Sequence, residues 1–304
     1  MADIKAVKEK IDSVASLKKI TKAMEMVARS KMKKATDAAV ATRMYATYAL
    51  ELLVHLSGDV SLKNPYLKQQ GAGNKQKEKV LVLHIASNKG LCGGYNVSIL
   101  RAAGKYFQNK DVYMDFVTVG RYAYRHALKL GGNVVERFDD FSDNLKASDV
   151  SELTSLILEK FKTGEYGEAY IVYTNFISIF NQEVVVRRLL PVSEESMRNV
   201  LKELGEDSNK EGEHVFNNNS LYLYEPGEEE ILELIVPRLI KMQIYQSLLE
   251  ANASEHSARM VAMKSATDSA DKIGDQLLLT YNKARQEGIT KEILEIASGA
   301  EALN

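Results

Sequence analysis

Apolar positions at the start of the chain recur with a helical step. Ile4, Val7, Ile11 and Val14 stand three or four residues apart, as one face of a helix requires. After a phase shift, Ile20, Met24 and Val27 resume the stripe, and further on the face turns small, with Ala35, Ala38, Ala39, Ala46 and Ala49. Neither proline nor glycine interrupts residues 1–57. The pattern therefore predicts one helix over that whole stretch, about 85 Å long at ~1.5 Å per residue. A helix of that length exceeds the width of a small domain, so much of it must pack on another long helix. The other end of the chain offers a partner: Ala258, Ala262, Ala266, Ala270, Ile273, Leu277 and Tyr281 form a second stripe at steps of mostly four. Two alanine-lined faces let backbones approach closely and give a thin rod. Because the steps lie nearer four than 3.5, a regular left-handed heptad coil is not expected throughout. On pattern alone, the core of an ordinary helical bundle fits these stripes equally well.

The middle of the chain has a different period. Residues 80–86 (VLVLHIA), 112–119 (VYMDFVTV) and 169–174 (AYIVYT) are short apolar runs rich in strand formers, and 183–190 (EVVVRRLL) is a fourth, ended by Pro191. Helical patterns lie between them near 97–107, 122–130 and 150–161. Strands alternating with helices predict an α/β domain with a mostly parallel sheet covered on both faces. Residues 58–78 and 205–220 read as loops. The organisation expected is an N-terminal coiled-coil helix (1–57), a linker (58–78), an α/β foot domain (79–224) and a C-terminal coiled-coil helix (225–304).

Charge changes this picture only locally. Forty Lys and Arg balance forty-one Asp and Glu, which argues against a whole-protein nucleic-acid binder. Residues 1–57 hold eleven basic and six acidic side chains, whereas residues 192–236 hold three and twelve. The cluster Arg29, Lys31, Lys33 and Lys34 fits a solvated helix face, a contact to an acidic protein or a nucleic-acid arm. No aromatic residue interleaves with it before Tyr45, so single-strand stacking lacks a platform. The single cysteine, Cys92, allows no internal disulfide, the first residues carry no apolar signal segment, and no apolar run approaches the ~20 residues that cross a bilayer.

Candidate chemistry is sparse. The turn Ser87-Asn-Lys-Gly90-Leu-Cys-Gly93-Gly94-Tyr-Asn96 follows the first strand and could in principle cradle phosphate on backbone amides. It matches neither GxGxxG nor GxxxxGK[ST], so tight strand-to-helix packing explains it better. The five histidines are scattered without metal-ligand spacing, and His84, inside a strand run, reads as a satisfied core side chain. Cys92 has no evident paired base.

Several long motifs point to one family. They are Ile11–Ala28 (IDSVASLKKITKAMEMVA), the turn 87–96 (SNKGLCGGYN), Tyr222-Leu-Tyr224-Glu225-Pro226, and 254–267 (SEHSARMVAMKSAT). The last is Tyr281-Asn-Lys-Ala-Arg285-Gln286, leading into 289–300 (ITKEILEIASGA). In this order, over nearly the whole chain, they resemble the gamma subunits of bacterial F-type ATP synthases. Asn88 stands where that family more often has aspartate and Ser269 where asparagine is common, and the cysteine-bearing insertion of chloroplast relatives is absent.

The resemblance implies an antiparallel coiled coil of the terminal helices with an inserted Rossmann-like α/β domain, the fold of a central rotor shaft. Such a shaft couples proton-driven rotation of the c ring to conformational change at the beta catalytic sites. It implies no active site, metal or cofactor in this chain, since ATP and Mg²⁺ belong to alpha and beta. The implied partners are the alpha–beta hexamer, epsilon and the c-subunit ring. The implied place is the cytoplasmic face of the bacterial inner membrane, with contact to the membrane only through partners and no nucleic acid bound. Residues matching family positions of shaft–hexamer contact are Met24, Arg29, Arg259, Met263, Arg285, Gln286, Thr290 and Glu292. Tyr222, Tyr224 and Glu225 match the foot region that meets the c ring and epsilon. On this reading Met24→Lys impairs coupling more than assembly. The rival readings are a nucleotide-binding enzyme built on the α/β domain, or a free-standing coiled-coil scaffold or nucleic-acid arm.

Overall fold

The computed structural model describes residues 2–57, 66, 79–192 (apart from 109, 111, 140 and 142–144) and 228–301. The expected linker apart from Tyr66, the acidic stretch 205–220, and Tyr222, Tyr224 and Glu225 lie outside the described residues. In chain order the elements are α1 (Ala2–Ser57), β1 (Lys79–Ile85), α2 (Tyr95–Phe107), β2 (Tyr113–Val119), α3 (Arg121–Lys129), β3 (Asn133–Phe138), α4 (Ser151–Lys162), β4 (Glu168–Phe176), β5 (Gln182–Leu190) and α5 (Glu228–Glu301). They form two compact units, one of residues 1–29 with 259–304 and the other of residues 30–258.

The larger unit is built on a five-stranded sheet of order β3-β2-β1-β4-β5. The β1–β2, β1–β4 and β2–β3 pairs are parallel, and β5 adds antiparallel to β4 across a hairpin. Alternation along β1 divides its side chains between two cores. Leu81, Leu83 and Ile85 pack with Leu153, Ile157 and Phe161 of α4 and with Ile240, Ile244 and Leu248 of α5. Val80 and Val82 face the other way, onto Ile99 and Ala103 of α2 and Ala123 and Ala127 of α3. Both faces of the sheet are thus covered, as parallel strands require. The α/β expectation holds here, but β3 was not foreseen from the sequence. It is an edge strand, and only Val134, Val135 and Phe138 are half-buried between exposed Glu136 and Arg137, so it lacks the apolar run that marks its neighbours.

Within this unit, α1 and α5 also lie side by side. Ala35 and Ala39 are each 6% exposed, and the Thr42 hydroxyl donates to Gln246 Oε1 at 2.9 Å while Gln246 Nε2 donates to the Ala39 carbonyl at 3.3 Å. α5 continues through Pro237, where one backbone donor is missing, with Val236 and Ile240 both fully buried on either side.

The smaller unit is an antiparallel pair of helices. Thr21 opposes Thr267, their hydroxyls 2.8 Å apart, and Val14 opposes Gly274, so stepping back seven residues in one helix means stepping on seven in the other. Lys18 pairs with Asp271 on the flank. The covered positions on α1 are Val7, Ile11, Val14, Thr21, Met24, Glu25 and Ala28; on α5 they are Arg259, Met260, Ala262, Met263, Ala266, Thr267, Ala270, Gly274, Leu277, Tyr281, Ala284 and Gly288. Within the α5 set, the row from Met260 through Met263, Thr267, Ala270, Gly274, Leu277, Tyr281 and Ala284 to Gly288 alternates steps of three and four, a period of 3.5 that keeps one seam facing its partner.

Two expectations are corrected by this. After Val14 the covered face of α1 runs through Thr21, Met24, Glu25 and Ala28 and not through Ile20 and Val27, which are 57% and 55% exposed. On α5 the expected stripe is covered at Ala262, Ala266, Ala270, Leu277 and Tyr281 but not at Ile273, which is 48% exposed, and a heptad-spaced row through Thr267, Gly274 and Gly288 runs beside it. The reason is chemical. Thr267, Gly274 and Gly288 are seam residues that a search for apolar side chains passes over, because a close-packed seam takes small residues beside its apolar ones.

Candidate functional site

The place where an α/β domain of this kind would bind a nucleotide is the crevice outside the carboxyl ends of the strands, where the strand order reverses. Here that point lies between β1 and β4, and the glycine-rich turn leaves β1 beside it. The turn is held together by its own side chains. The Ser87 backbone N–H donates to Asn96 Oδ1 at 3.2 Å, Asn96 Nδ2 donates to Ser87 Oγ at 2.7 Å and to Cys92 Sγ at 3.3 Å, and Ser87 Oγ donates to the Lys89 carbonyl at 2.8 Å. Leu91 and Gly93 both adopt left-handed φ values, 61° and 58°, and these let the turn fold back onto the strand.

Neighbouring segments are knitted to the turn. The Ala86 N–H bonds to the Val119 carbonyl at 3.0 Å, and the Tyr122 N–H to the Ser87 carbonyl at 3.1 Å. Gly120, at φ 92°, is the residue that allows this approach: a Cβ there would lie 2.2 Å from the Ala86 carbonyl oxygen. Asn88 uses both ends of its amide. Its Oδ1 accepts from the Arg121 N–H at the start of α3, at 2.9 Å, and its Nδ2 donates to the Asp139 carbonyl. An aspartate, the residue more usual here, keeps the first bond and has no donor for the second.

The crevice itself is occupied by α5. Tyr95, the first residue of α2, donates its hydroxyl to the Ala251 carbonyl at 3.2 Å, and Ser254 donates to the Thr174 carbonyl of β4 at 3.1 Å. Ala251, Ala253 and Ser254 are at most 4% exposed. A helix therefore lies where a pyrophosphate would, which disfavours the nucleotide-binding reading. Tight strand-to-helix packing is what the turn provides.

His84 is indeed a core residue, at 0% exposure, but only half satisfied. Its Nε2 meets His126 Nδ1 at 3.2 Å, and its Nδ1 has no hydrogen-bond partner. Burial, and secondarily the neighbouring His126, lowers the His84 pKa to about 3. Burial, and secondarily Lys129, lowers that of His126 to about 4. Both rings are neutral at physiological pH. Among the described residues, no group of three or more His, Cys, Asp and Glu is placed to hold a metal ion.

The shaft residues singled out from the sequence fall into two sets. Met263 (5% exposed) and Arg259 (8%) are buried, Met263 within the seam. Met24 is half-buried, while Arg29, Arg285, Gln286, Thr290 and Glu292 are exposed. Arg29 lies along the helix surface and pairs at 3.2 Å with Glu25, whose carboxylate also takes Lys22 at 3.0 Å. Thr290 donates back to the Gln286 carbonyl at 2.9 Å and so adds nothing across the pair.

Sequence reasoning missed a strongly exposed apolar surface of the unit. With the register set by Thr21 and Thr267, Ala2 at the start of α1 stands opposite Gln286, and α5 continues to Glu301 with no helix beside it among the described residues. On that lone stretch Ile293 is 60% exposed, Leu294 60% and Ile296 73%. Nothing in the apolar spacing separates these residues from an ordinary buried face; the shorter reach of α1 is what strips them.

The sequence matches the family model described as ATP synthase over residues 3–303. ATP synthase gamma chains from strains of Dehalococcoides mccartyi are 36% identical over 308 residues, covering all of this chain and all of theirs. The chain belongs to the ATP synthase gamma family. It is accordingly the central-stalk rotor subunit of such a synthase, and the catalytic sites belong to the beta subunits. Solved structures share the fold. The rotor of the Euglena gracilis mitochondrial ATP synthase aligns with a TM-score of 0.62 at 21% identity, covering 95% of this chain and 99% of that one. A chain of the central stalk and c ring of the Tetrahymena thermophila enzyme aligns at 0.56 and 22% identity, covering 81% and 99%. No helix among the described residues is long and apolar enough to cross a membrane.

Proposed function

We propose that the helical pair, and above all the lone end of α5, is the part of this gamma chain that turns inside the alpha–beta hexamer. The α/β domain is the foot that meets epsilon and the c ring at the cytoplasmic face of a bacterial inner membrane, with Tyr222, Tyr224 and Glu225 as contact residues on the strength of their family motif. The observation that carries this reading is the bare apolar surface at 293–296. A single helix extending about 22 Å past its partner, at ~1.5 Å per residue, is marginal in water and exposes side chains that a partner must cover. The exposed polar residues Arg285, Gln286, Thr290 and Glu292 border that surface and supply directional contacts. Arg29 and the half-buried Met24 lie toward the other end of the same unit, beside the basic stretch that continues with Lys31, Lys33 and Lys34. Arg259 and Met263, being buried, act on the hexamer through the spacing of the two helices rather than by touching it.

Coupling then follows from differential binding. The pair has no rotational symmetry, so each orientation presents different side chains to each catalytic subunit and favours a different conformation there. The test is reconstitution with the alpha and beta subunits of the same organism. One copy per hexamer, with ATPase turnover that depends on this chain, supports the reading. In that complex Met24→Lys is expected to lower proton pumping more than assembly, and an equal loss of both would remove Met24 from the contact set.

A further inference from the structure

A rotor needs a joint between the part that is driven and the part that transmits, and apolar packing alone makes a poor one. Hydrophobic contact resists separation but is non-directional, so a packed helix can roll or slide on a sheet at little cost. Hydrogen bonds resist such motion because they weaken steeply off-axis. Where α5 crosses the carboxyl ends of the strands, three side chains make bonds of this kind within two helical turns. The Tyr95 hydroxyl donates to the Ala251 carbonyl at 3.2 Å, Ser254 donates to the Thr174 carbonyl at 3.1 Å, and Ser257 donates to the Ile179 carbonyl at 2.7 Å. Gln182 adds a bond at 3.4 Å to Ser257 Oγ and holds the hairpin tip through the Ile179 carbonyl at 2.7 Å. Ser254 and Ser257 are both at 0% exposure and Tyr95 at 6%, and the Tyr95 and Ser254 bonds are buried away from water, while the Ser257 bond at the hairpin tip is part-buried.

The arrangement has two features a mere packing contact lacks. The donors run in both directions, from α2 onto the helix and from the helix onto β4 and onto the tip of the β4–β5 hairpin. The three anchor points also belong to three separate segments of the domain, so rolling α5 one way or the other strains at least one bond. Lower on the helix, Lys241 donates to Ser151 Oγ at 2.8 Å and Tyr245 to the Leu145 carbonyl at 3.0 Å, which fixes a second level against the other face of the domain. We propose that Tyr95, Ser254 and Ser257 are positioning residues that lock α5 to the α/β domain against twisting, and so set how stiffly torque passes from the domain into the shaft.

The experiment uses the whole synthase, fixed to a surface through its hexamer, with a gold rod attached to the α/β domain to record angular fluctuations. The triple variant Tyr95→Phe, Ser254→Ala, Ser257→Ala removes the three donors and leaves the apolar contacts. Torsional stiffness is expected to fall about two-fold, because only the directional part of the joint is lost. Unloaded ATP hydrolysis is expected to stay unchanged, while proton pumping against an opposing gradient falls. Tyr95→Phe alone keeps the ring and the packing, and its stiffness is expected to drop by a smaller amount; it decides the matter if the triple variant fails to assemble. Stiffness equal to the parent chain in Tyr95→Phe, or hydrolysis and pumping declining in proportion, would overturn the proposal.

Discussion

The two units solve opposite problems. The α/β unit closes on itself: two cores cover both faces of its sheet, side chains of its glycine turn bond to one another, and a helix fills the crevice where a nucleotide would sit. The helical unit is left open. Its seam mixes small and polar residues, Thr21, Ala28, Thr267, Ala270 and Gly274, with larger ones such as Ile11, Val14 and Met263, while Ile20, Val27, Ile273 and Leu279 face outward. Large apolar side chains thus lie outside the seam as well as within it. On the function proposed above this suits a shaft within a collar, because the small seam residues keep the rod thin and the outward ones are left for the collar.

The contrast breaks most readily at the α/β core. Phe161 is fully buried against the sheet, and Phe161→Ala is expected to destabilise that unit by about 3–5 kcal/mol. Chemical denaturation followed by circular dichroism measures this. A loss under ~1 kcal/mol would mean that the core is not the source of the unit's stability.

Next in size is the response to acid. Both histidines of the buried pair are held below their ordinary pKa, His84 to about 3 and His126 to about 4, so the unfolded chain takes up protons first as pH falls. Their contribution is fully present above a pH of about 6.5 and is lost progressively as pH falls toward 4 and then 3. The melting temperature is expected to drop across that window. His126→Gln is expected to flatten the drop, and an unchanged slope would show that other groups carry it.

Thr21→Val removes one hydroxyl from the seam but leaves Thr267 within 2.8 Å of the Met263 carbonyl, so the loss is expected to stay within about 1 kcal/mol. Smallest of all in stability is Ile293→Ser at a 60% exposed position, expected to leave the melting temperature unchanged while weakening assembly with alpha and beta. A falling melting temperature would place Ile293 in a buried core of the free chain.

This contrast also explains what could be read from the sequence. The strands β1, β2, β4 and β5 and the helices between them announce themselves by apolar runs, because a sheet covered on both faces needs large side chains on both. β3 escapes notice as a half-polar edge strand. Both long helices are legible from the lack of breakers, and their seam in part: Val7, Ile11, Val14, Met24, Ala270, Leu277 and Tyr281 of the expected stripes are covered, whereas Ile20, Val27 and Ile273 are exposed. The contact residues rest on motif matching alone, and single-chain periodicity cannot tell a partner-facing side chain from a core one. Burial separates Arg259 and Met263 from Arg285, Gln286, Thr290 and Glu292, a division the sequence gives no means to draw.

The most direct test of the account is amide hydrogen exchange over residues 291–298, compared between the free chain and the assembled alpha–beta complex. All eight residues are exposed, and the helix there has no partner among the described residues. The account predicts rapid exchange in the free chain and strong protection in the complex. Equally rapid exchange in both states would contradict it, for the bare end of the shaft would then have no collar around it.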